Sequence, residues 1–202
     1  MSMGHGDGNS ADLVYSDGMS KDGWAAQQAA TIGEEIRQLR GGRSGQWLSD
    51  RTAALGYRVT RTTISELENH KRKYVTTAEL MVLARALNTT PIALLYPRPL
   101  SGDSIEILPG VKGSKTFALQ WFSGEADTPS PWICDDPGEY RGNLEPVEAA
   151  RKVSELEEQK FTLMKVFSGR SEDKWDEASN VVPEITRIQR EIDKLRGRPD
   201  GG

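Results

Sequence analysis

The sequence predicts an all-α protein, with five short helices over residues 22–100 and a helical hairpin or coiled-coil segment over residues 144–197. Two observations favour this fold class. Apolar residues recur at intervals of three and four along both regions, as they do on the buried face of an α-helix. Ser and Thr stand where these helices would begin, and Gly stands where several would end. No window approaches the ~20 consecutive apolar residues that span a bilayer.

The first domain is predicted to contain five helices joined by short connections. The first starts near Trp24 and ends at Gly41 and Gly42. The next four begin after Ser44, Thr60, Thr76 and Thr90, and Thr76 forms a capping box with Glu79. The predicted inward-facing residues are Ile32, Ile36 and Leu39; then Trp47, Leu48, Arg51 and Leu55; then Ile64 and Leu67; then Leu80, Leu83, Ala84 and Leu87; and finally Leu94 and Leu95.

Residues 101–143 are predicted to be a linker with short ordered pieces, namely a strand over 104–108 and a helix over 115–122. The stretch 127–142 is rich in Pro, Asp and Gly, a composition typical of loops. Helical periodicity resumes at Pro146, Ser171 caps a second segment, and that segment either kinks or begins at Pro183. Residues 1–21 and 198–202 are predicted to be disordered tails, and no secretory signal peptide is expected.

The C-terminal apolar seam has two interpretations. One is a hairpin folded onto its own chain, and the other is self-association as a coiled coil or a four-helix bundle. Homodimerisation is favoured, because an isolated hairpin is expected to leave Val181, Ile185, Ile188 and Ile192 poorly covered. The predicted dimerisation residues are Val153, Leu156, Leu163, Val181, Ile185, Ile188, Ile192 and Leu195.

Charge is distributed unevenly along the chain. The net charge is −4 and the pI is near 5.4, a balance that by itself argues against a nucleic-acid partner. Residues 34–74, however, carry nine Lys and Arg against five Asp and Glu, a net +4, whereas residues 102–202 carry a net −6. The basic charge therefore lies in one window, as expected for an electrostatic footprint on that segment.

The basic window contains two predicted helices joined by a turn, an arrangement that fits a helix into the DNA major groove. The burial of Ile64 and Leu67 would place the polar residues of the second of these helices on its outer side. Arg, Thr and Glu are residue types that bind base edges, and the predicted base-reading residues are Arg61, Thr62, Ser65 and Glu66. Candidates for phosphate contacts are Ser44, Gln46, Lys71, Arg72 and Lys73.

Residues 32–96 resemble the Cro-like, phage-repressor type of helix-turn-helix, the XRE family. The resemblance rests on Ile36, Leu39-Arg40, Leu48-Ser49, the run TISELEN over 63–69, Lys71-Arg72, and Leu80, Leu83, Ala84, Ala86 and Leu87. It implies a five-helix, lambda-repressor-like domain of a transcriptional regulator that is commonly dimeric on inverted repeats. It also implies phosphate contacts from Thr60 and Asn69, and an ion pair between Glu68 and either Arg37 or Arg40.

The sequence departs from this family in three places. The turn Ala54–Thr60 is longer than usual, as in an actinobacterial-looking subset, and Gln46 stands one position later than the usual Gln. His70 replaces a Gly whose backbone needs positive φ, which costs a non-Gly residue about 1–2 kcal/mol.

We therefore expect a sequence-specific DNA-binding regulator of transcription, located in the cytoplasm with the nucleoid and binding double-stranded DNA as a homodimer. No enzyme activity, cofactor, metal or membrane partner is expected, because the sequence holds two His and one Cys and shows no catalytic constellation. The alternative is a protein-interaction adaptor whose C-terminal helices bind a heterologous partner. Selection from random DNA separates the two hypotheses.

Overall fold

The computed structural model describes residues 14–15, 21–99, 104–126, 131, 133–168 and 181–197. These residues are mostly helical, in agreement with the predicted class, but they also include three short strands. The helices are α1 (Lys21–Arg40), α2 (Gly45–Ala54), α3 (Arg61–Glu68), α4 (Thr77–Leu87), α5 (Pro91–Leu95), α6 (Lys115–Ser123), α7 (Pro137–Ser168) and α8 (Val181–Leu195); the strands are β1 (Val14–Tyr15), β2 (Ile105–Leu108) and β3 (Val111–Gly113). The chain divides into two units, Met1–Asp127 and Thr128–Gly202.

Helices α1 to α5 surround the main apolar core of the first unit. The capping residues predicted for α2, α3 and α4 each accept a hydrogen bond from a backbone N–H in the first turn, and Thr76 and Glu79 form the reciprocal capping box. These caps fix where each helix begins and hence which stripe turns inward. The buried apolar residues are Ile32, Ile36, Leu48, Val59, Ile64, Leu67, Leu80, Leu83, Ala84, Ala86, Leu87 and Leu94.

The prediction that Leu55 lies in this core is wrong. Helix α2 ends at Ala54, so Leu55 is its C-cap and leaves the buried stripe, with 44% of its surface exposed. Val59 fills the core instead and is buried. The Thr52 hydroxyl accepts a hydrogen bond from the Val59 N–H at 2.9 Å and donates to the Ser49 carbonyl at 2.8 Å. The long turn is therefore anchored at its C-terminal end.

Residues 104–126 contain the predicted strand and helix, as β2 and α6. The strands form an antiparallel sheet in the order β1-β3-β2, in which Val14 pairs with Lys112 and Ile105 pairs with Gly113. The prediction of a disordered N-terminal tail is thus wrong for residues 14–15, which pair with β3, and for residue 21, which begins α1. A strand of two residues carries no detectable alternation of apolar and polar residues.

The segment after α5 packs against the end of that helix. Tyr96, Ile107 and Ala118 are buried together, and the ring of Phe122 meets the ring of Tyr96 edge-on at 6.1 Å. The Trp24 indole N–H donates to the Glu106 carbonyl at 3.1 Å and so ties α1 to β2. Residues 104–126 therefore belong to the first unit, and the short ordered pieces predicted within the linker pack onto the first domain.

In the second unit, α7 begins at Pro137, earlier than the predicted start of the helical segment at residue 144. The Asp136 carboxylate accepts hydrogen bonds from the N–H groups of Gly138 and Glu139 at 2.7 and 3.1 Å, and Pro137 occupies the first helical position. Pro146 consequently lies inside α7. Pro183 is the third residue of α8, where no intrahelical N–H bond is lost, so this helix begins close to Pro183 as one of the two predictions stated.

Helices α7 and α8 form a hairpin that buries much of the predicted seam within one chain. Val153, Leu156, Ile188 and Ile192 make its core, and Leu163 packs against them. The expectation that Ile188 and Ile192 would be poorly covered in an isolated hairpin is wrong, because they are only 2% and 0% exposed. Of the remaining seam residues, Val181 and Ile185 are half-buried and Leu195 is exposed. Ser171, residues 1–13 and 16–20, and residues 198–202 lie outside the described residues.

Among the described helices, none combines the length and the apolar composition needed to cross a membrane.

Candidate nucleic-acid interface

The candidate interface is built on α3, whose buried side is fixed by the core. Ile64 and Leu67 are buried, and the Thr60 hydroxyl caps the helix by accepting from the Thr63 N–H at 3.1 Å. Helix α1 crosses α3 at Gly33, where an added Cβ would lie 2.2 Å from the Leu67 carbonyl oxygen. Only a residue without a side chain permits this approach. The orientation of α3 is therefore fixed by the burial of its apolar residues and by its close contact with α1.

The four predicted base-reading residues lie together on the opposite side of α3 and are all exposed: Arg61, Thr62, Ser65 and Glu66. This is the arrangement expected from the apolar spacing of the helix. The Ser65 hydroxyl accepts a hydrogen bond from the Asn69 amide at 3.2 Å, which leaves its own O–H free to donate. The face presents donors and acceptors of several kinds, as base-edge recognition requires.

The C-terminal end of α3 is tied to α1 by two arginines. Arg40 Nε and Nη2 donate to the two carboxylate oxygens of Glu68 at 2.7 and 2.8 Å, so Arg40 forms the ion pair for which Arg37 was the other candidate. The hydrogen bond from the Arg40 guanidinium to Glu68 raises the pKa of Arg40. Arg37 donates instead to the Glu68 carbonyl oxygen and, at 3.2 Å, to Asn69 Oδ1.

Asn69 was predicted to contact phosphate, but the structure uses both ends of its amide within the domain. Its Nδ2 donates to the Ser65 carbonyl at 2.7 Å, and its Oδ1 accepts from Arg37. Asn69 therefore links α1 to the outer face of α3 and supports Ser65.

The α3–α4 loop, residues 69–76, starts with a left-handed residue. His70 has φ of 56°, as predicted for this position. The His70 N–H bonds to the Leu67 carbonyl at 3.0 Å and the Lys71 N–H bonds to the Glu66 carbonyl at 2.8 Å, which is the pattern of a Schellman motif. The helix is thereby stopped sharply, and Lys71 and Lys73 follow as exposed side chains.

Arg72, also predicted to contact phosphate, turns inward. Its Nη1 donates to Glu79 Oε1 at 2.7 Å, its side chain is only 16% exposed, and its guanidinium lies 4.6 Å from the centre of the Tyr74 ring. Burial alone would lower the pKa of Arg72, but the hydrogen bond and charge of Glu79 help to raise it overall. The sequence predicted Arg72 to be a surface cation, because its pairing with Glu79 exists only in the folded domain and leaves no local sequence pattern.

Glu79 serves this pair and the capping box at once. Burial would raise the pKa of Glu79, but hydrogen bonds from the Thr76 backbone and from Arg72 outweigh it, so the pKa is lowered. Its second oxygen accepts from both the N–H and the hydroxyl of Thr76 at 2.9 Å. The α3–α4 loop is therefore fastened to the first turn of α4.

The N-terminal turn of α2 carries two more of the predicted phosphate contacts. Ser44 is exposed, and its hydroxyl oxygen accepts from the Trp47 N–H at 3.1 Å. Gln46 is exposed, but its amide donates to Asp50 Oδ1 at 2.9 Å. Arg43 stacks on Trp47 with 4.0 Å between its guanidinium carbon and the ring centre.

The structure thus separates the nine cations of residues 34–74 into two groups. Six of them hydrogen-bond to acceptors of the domain, namely Arg37, Arg40, Arg43, Arg51, Arg58 and Arg72. Among the described residues of this window, Arg61, Lys71 and Lys73 remain as exposed cations without such a partner. They stand at the two ends of α3.

No group of three or more potential metal ligands occurs among the described residues. No family model, curated protein sequence or solved structure matches this chain.

Proposed function

We propose that this chain is a sequence-specific DNA-binding regulator of transcription, and that residues 22–100 are a Cro-like helix-turn-helix domain of the XRE type. In this proposal α3 enters the major groove of DNA. Arg61, Thr62, Ser65 and Glu66 contact base edges, and Lys71 and Lys73 contact phosphates after the end of the helix.

One observation carries the proposal. The outward face of α3 is entirely polar and exposed, and exposed cations without a partner in the domain flank the helix at both ends. The other basic residues of the window donate hydrogen bonds within the domain, whereas these three keep their donors available to DNA. Exposed cations at both ends of a face of mixed donors and acceptors are the arrangement expected of a helix that binds DNA.

Ser44 and Thr60 add a second kind of phosphate contact in this proposal. Each caps a helix of eight residues or more and lies where backbone N–H groups and the helix dipole favour an anion. Arg72 and Asn69 act indirectly, by holding the loop and the outer face of α3 in place.

We further propose that the regulator is a homodimer located with the nucleoid, in which the second unit joins two copies. Because Ile188 and Ile192 are covered within one chain, the contact between copies uses apolar side chains that the hairpin leaves outside. Phe161, Met164 and Val182 are 66%, 49% and 54% exposed. In this proposal these side chains are covered by the partner copy in the dimer.

The test is selection of binding sites from a pool of random duplex DNA, followed by titration of the selected duplex and of a scrambled duplex at ~150 mM salt. We expect the selected duplex to bind at least 10³-fold more tightly, as specific binders do. A Lys194→Ala variant, which removes an exposed cation from the second unit, should bind both duplexes as the unmodified chain does. Equal affinity for selected and scrambled duplexes would refute the proposal.

A further inference from the structure

One exposed carboxylate beside the candidate interface accepts hydrogen bonds from two donors. Asp50 Oδ1 lies 2.9 Å from the Gln46 amide nitrogen and 3.3 Å from Arg58 Nη1. The Asp50 and Arg58 side chains are 58% and 55% exposed, so this contact faces solvent. An ion pair at such a site contributes little to folding and is easily broken.

One of the two donors, Gln46, follows the residue of α2 that the base-reading residue Arg61 packs over. A Cβ built on Gly45, the neighbour of Gln46, would lie 3.7 Å from Arg61 Cγ, so Arg61 packs over the first residue of α2. The long turn reaches α2 as well, because Arg58 Nη1 donates to Asp50 Oδ1 at 3.3 Å and to Ser49 Oγ at 3.5 Å.

The chemistry of the cluster fits a phosphodiester group. A guanidinium and an amide converge on a single carboxylate oxygen, and both are donors that bind the oxygens of the DNA backbone. A phosphate oxygen could take the position that Asp50 Oδ1 holds, but the Asp50 charge would repel it.

We propose that Gln46 and Arg58 together bind a backbone phosphate of DNA, and that Asp50 competes with this phosphate for the same two donors. The inference rests on the proposed DNA-binding function and adds a contact from the long turn. Asp50 thereby weakens binding to DNA of any sequence, because a contact with the phosphate backbone does not depend on the bases.

The experiment uses the full-length chain and a duplex of scrambled sequence, with affinity measured over a range of salt concentrations. Asp50→Asn should tighten binding about threefold or more relative to Glu34→Gln, an exposed change of equal charge on α1 outside the cluster. The slope of log affinity against log salt should steepen by about 0.9, because Arg58 becomes free to neutralise a phosphate. Arg58→Gln should weaken binding, and the double variant Asp50→Asn/Arg58→Gln should lose most of the tightening.

Two results would overturn the inference while leaving the proposed function intact. One is selective binding by the wild type together with equal effects of Asp50→Asn and Glu34→Gln. The other is full tightening in the double variant. A wild type that binds scrambled and selected duplexes equally would instead refute the proposed function, and a wild type that binds no DNA would refute both. Thermal unfolding of each variant checks that the fold is kept. No loss is expected, because the Asp50 and Arg58 side chains are exposed.

Discussion

The crossing of α1 and α3 at Gly33 makes a quantitative prediction about what holds the candidate DNA-reading helix in place. A Cβ at this position would lie 2.2 Å from the Leu67 carbonyl oxygen and 2.6 Å from its carbon. A normal carbon–oxygen contact is about 3.3 Å or more, so the two helices would have to separate by about 1 Å. Both clashing groups are fixed to helix backbones, and rotation of a side chain cannot relieve the contact.

The free-energy change for Gly33→Ala has two opposing contributions. Ala in a helix interior is favoured over Gly by about 0.8–1.0 kcal/mol. Overpacking of a core costs about 1–3 kcal/mol, and a clash between backbones lies at the upper end of that range. We therefore expect Gly33→Ala to lower the free energy of unfolding by about 2 kcal/mol, which for a chain of this size lowers Tm by about 4–8 °C.

Urea and thermal unfolding followed by far-UV circular dichroism measure this change. Gly42→Ala is the matched control, because a Cβ there meets nothing within 4 Å and should alter the free energy of unfolding by no more than about 0.5 kcal/mol. A Gly33→Ala variant as stable as the Gly42→Ala variant would show that α1 does not constrain α3 in this way.

Three further predictions concern the α3–α4 loop, the first turn of α4 and the proposed contact between two copies. Glu79→Gln should lower the free energy of unfolding by about 1–2 kcal/mol at pH 7. Because the pKa of Glu79 is lowered in the folded state, the difference in stability between variant and wild type should shrink as pH falls below about 4.3. A difference that stays constant from about pH 7 to about pH 3 would contradict this role of the Glu79 carboxylate. His70→Gly should raise the free energy of unfolding by about 1 kcal/mol in urea titrations, since it relieves a left-handed backbone, and a destabilised variant would refute this reason. If the proposed homodimer uses Phe161, Phe161→Glu should give a monomer in light scattering, whereas Met81→Glu, at a residue that is 60% exposed in the first unit, should not. A dimer that persists in Phe161→Glu would exclude this contact.

Much of the first unit could be predicted from local sequence alone. Ser44, Thr60 and Thr76 begin α2, α3 and α4, because a cap is an interaction between residues three apart. The left-handed backbone at His70 was predictable from the resemblance to a helical family with Gly at that position. The exposed face of α3 followed from the burial of its apolar stripe.

Other features depended on contacts between distant residues. Composition alone predicted a linker around Pro137, yet the same Asp, Pro and Gly form the start of α7 once Asp136 caps it. The inward turn of Arg72 arises from its pairing with Glu79, which the capping-box pattern did not indicate. Coverage of Ile188 and Ile192 depended on how closely the two helices of the hairpin pack.

The most direct test of the central claim compares Arg61→Ala, Lys71→Ala and the control Lys194→Ala on selected and scrambled duplexes across a salt series. Arg61→Ala should cost about 1–3 kcal/mol on the selected duplex and much less on the scrambled one, because a base contact discriminates between sequences. Lys71→Ala should weaken both duplexes alike and reduce the salt slope by about 0.9. An equal loss on both duplexes for Arg61→Ala would contradict the claim that α3 reads the major groove.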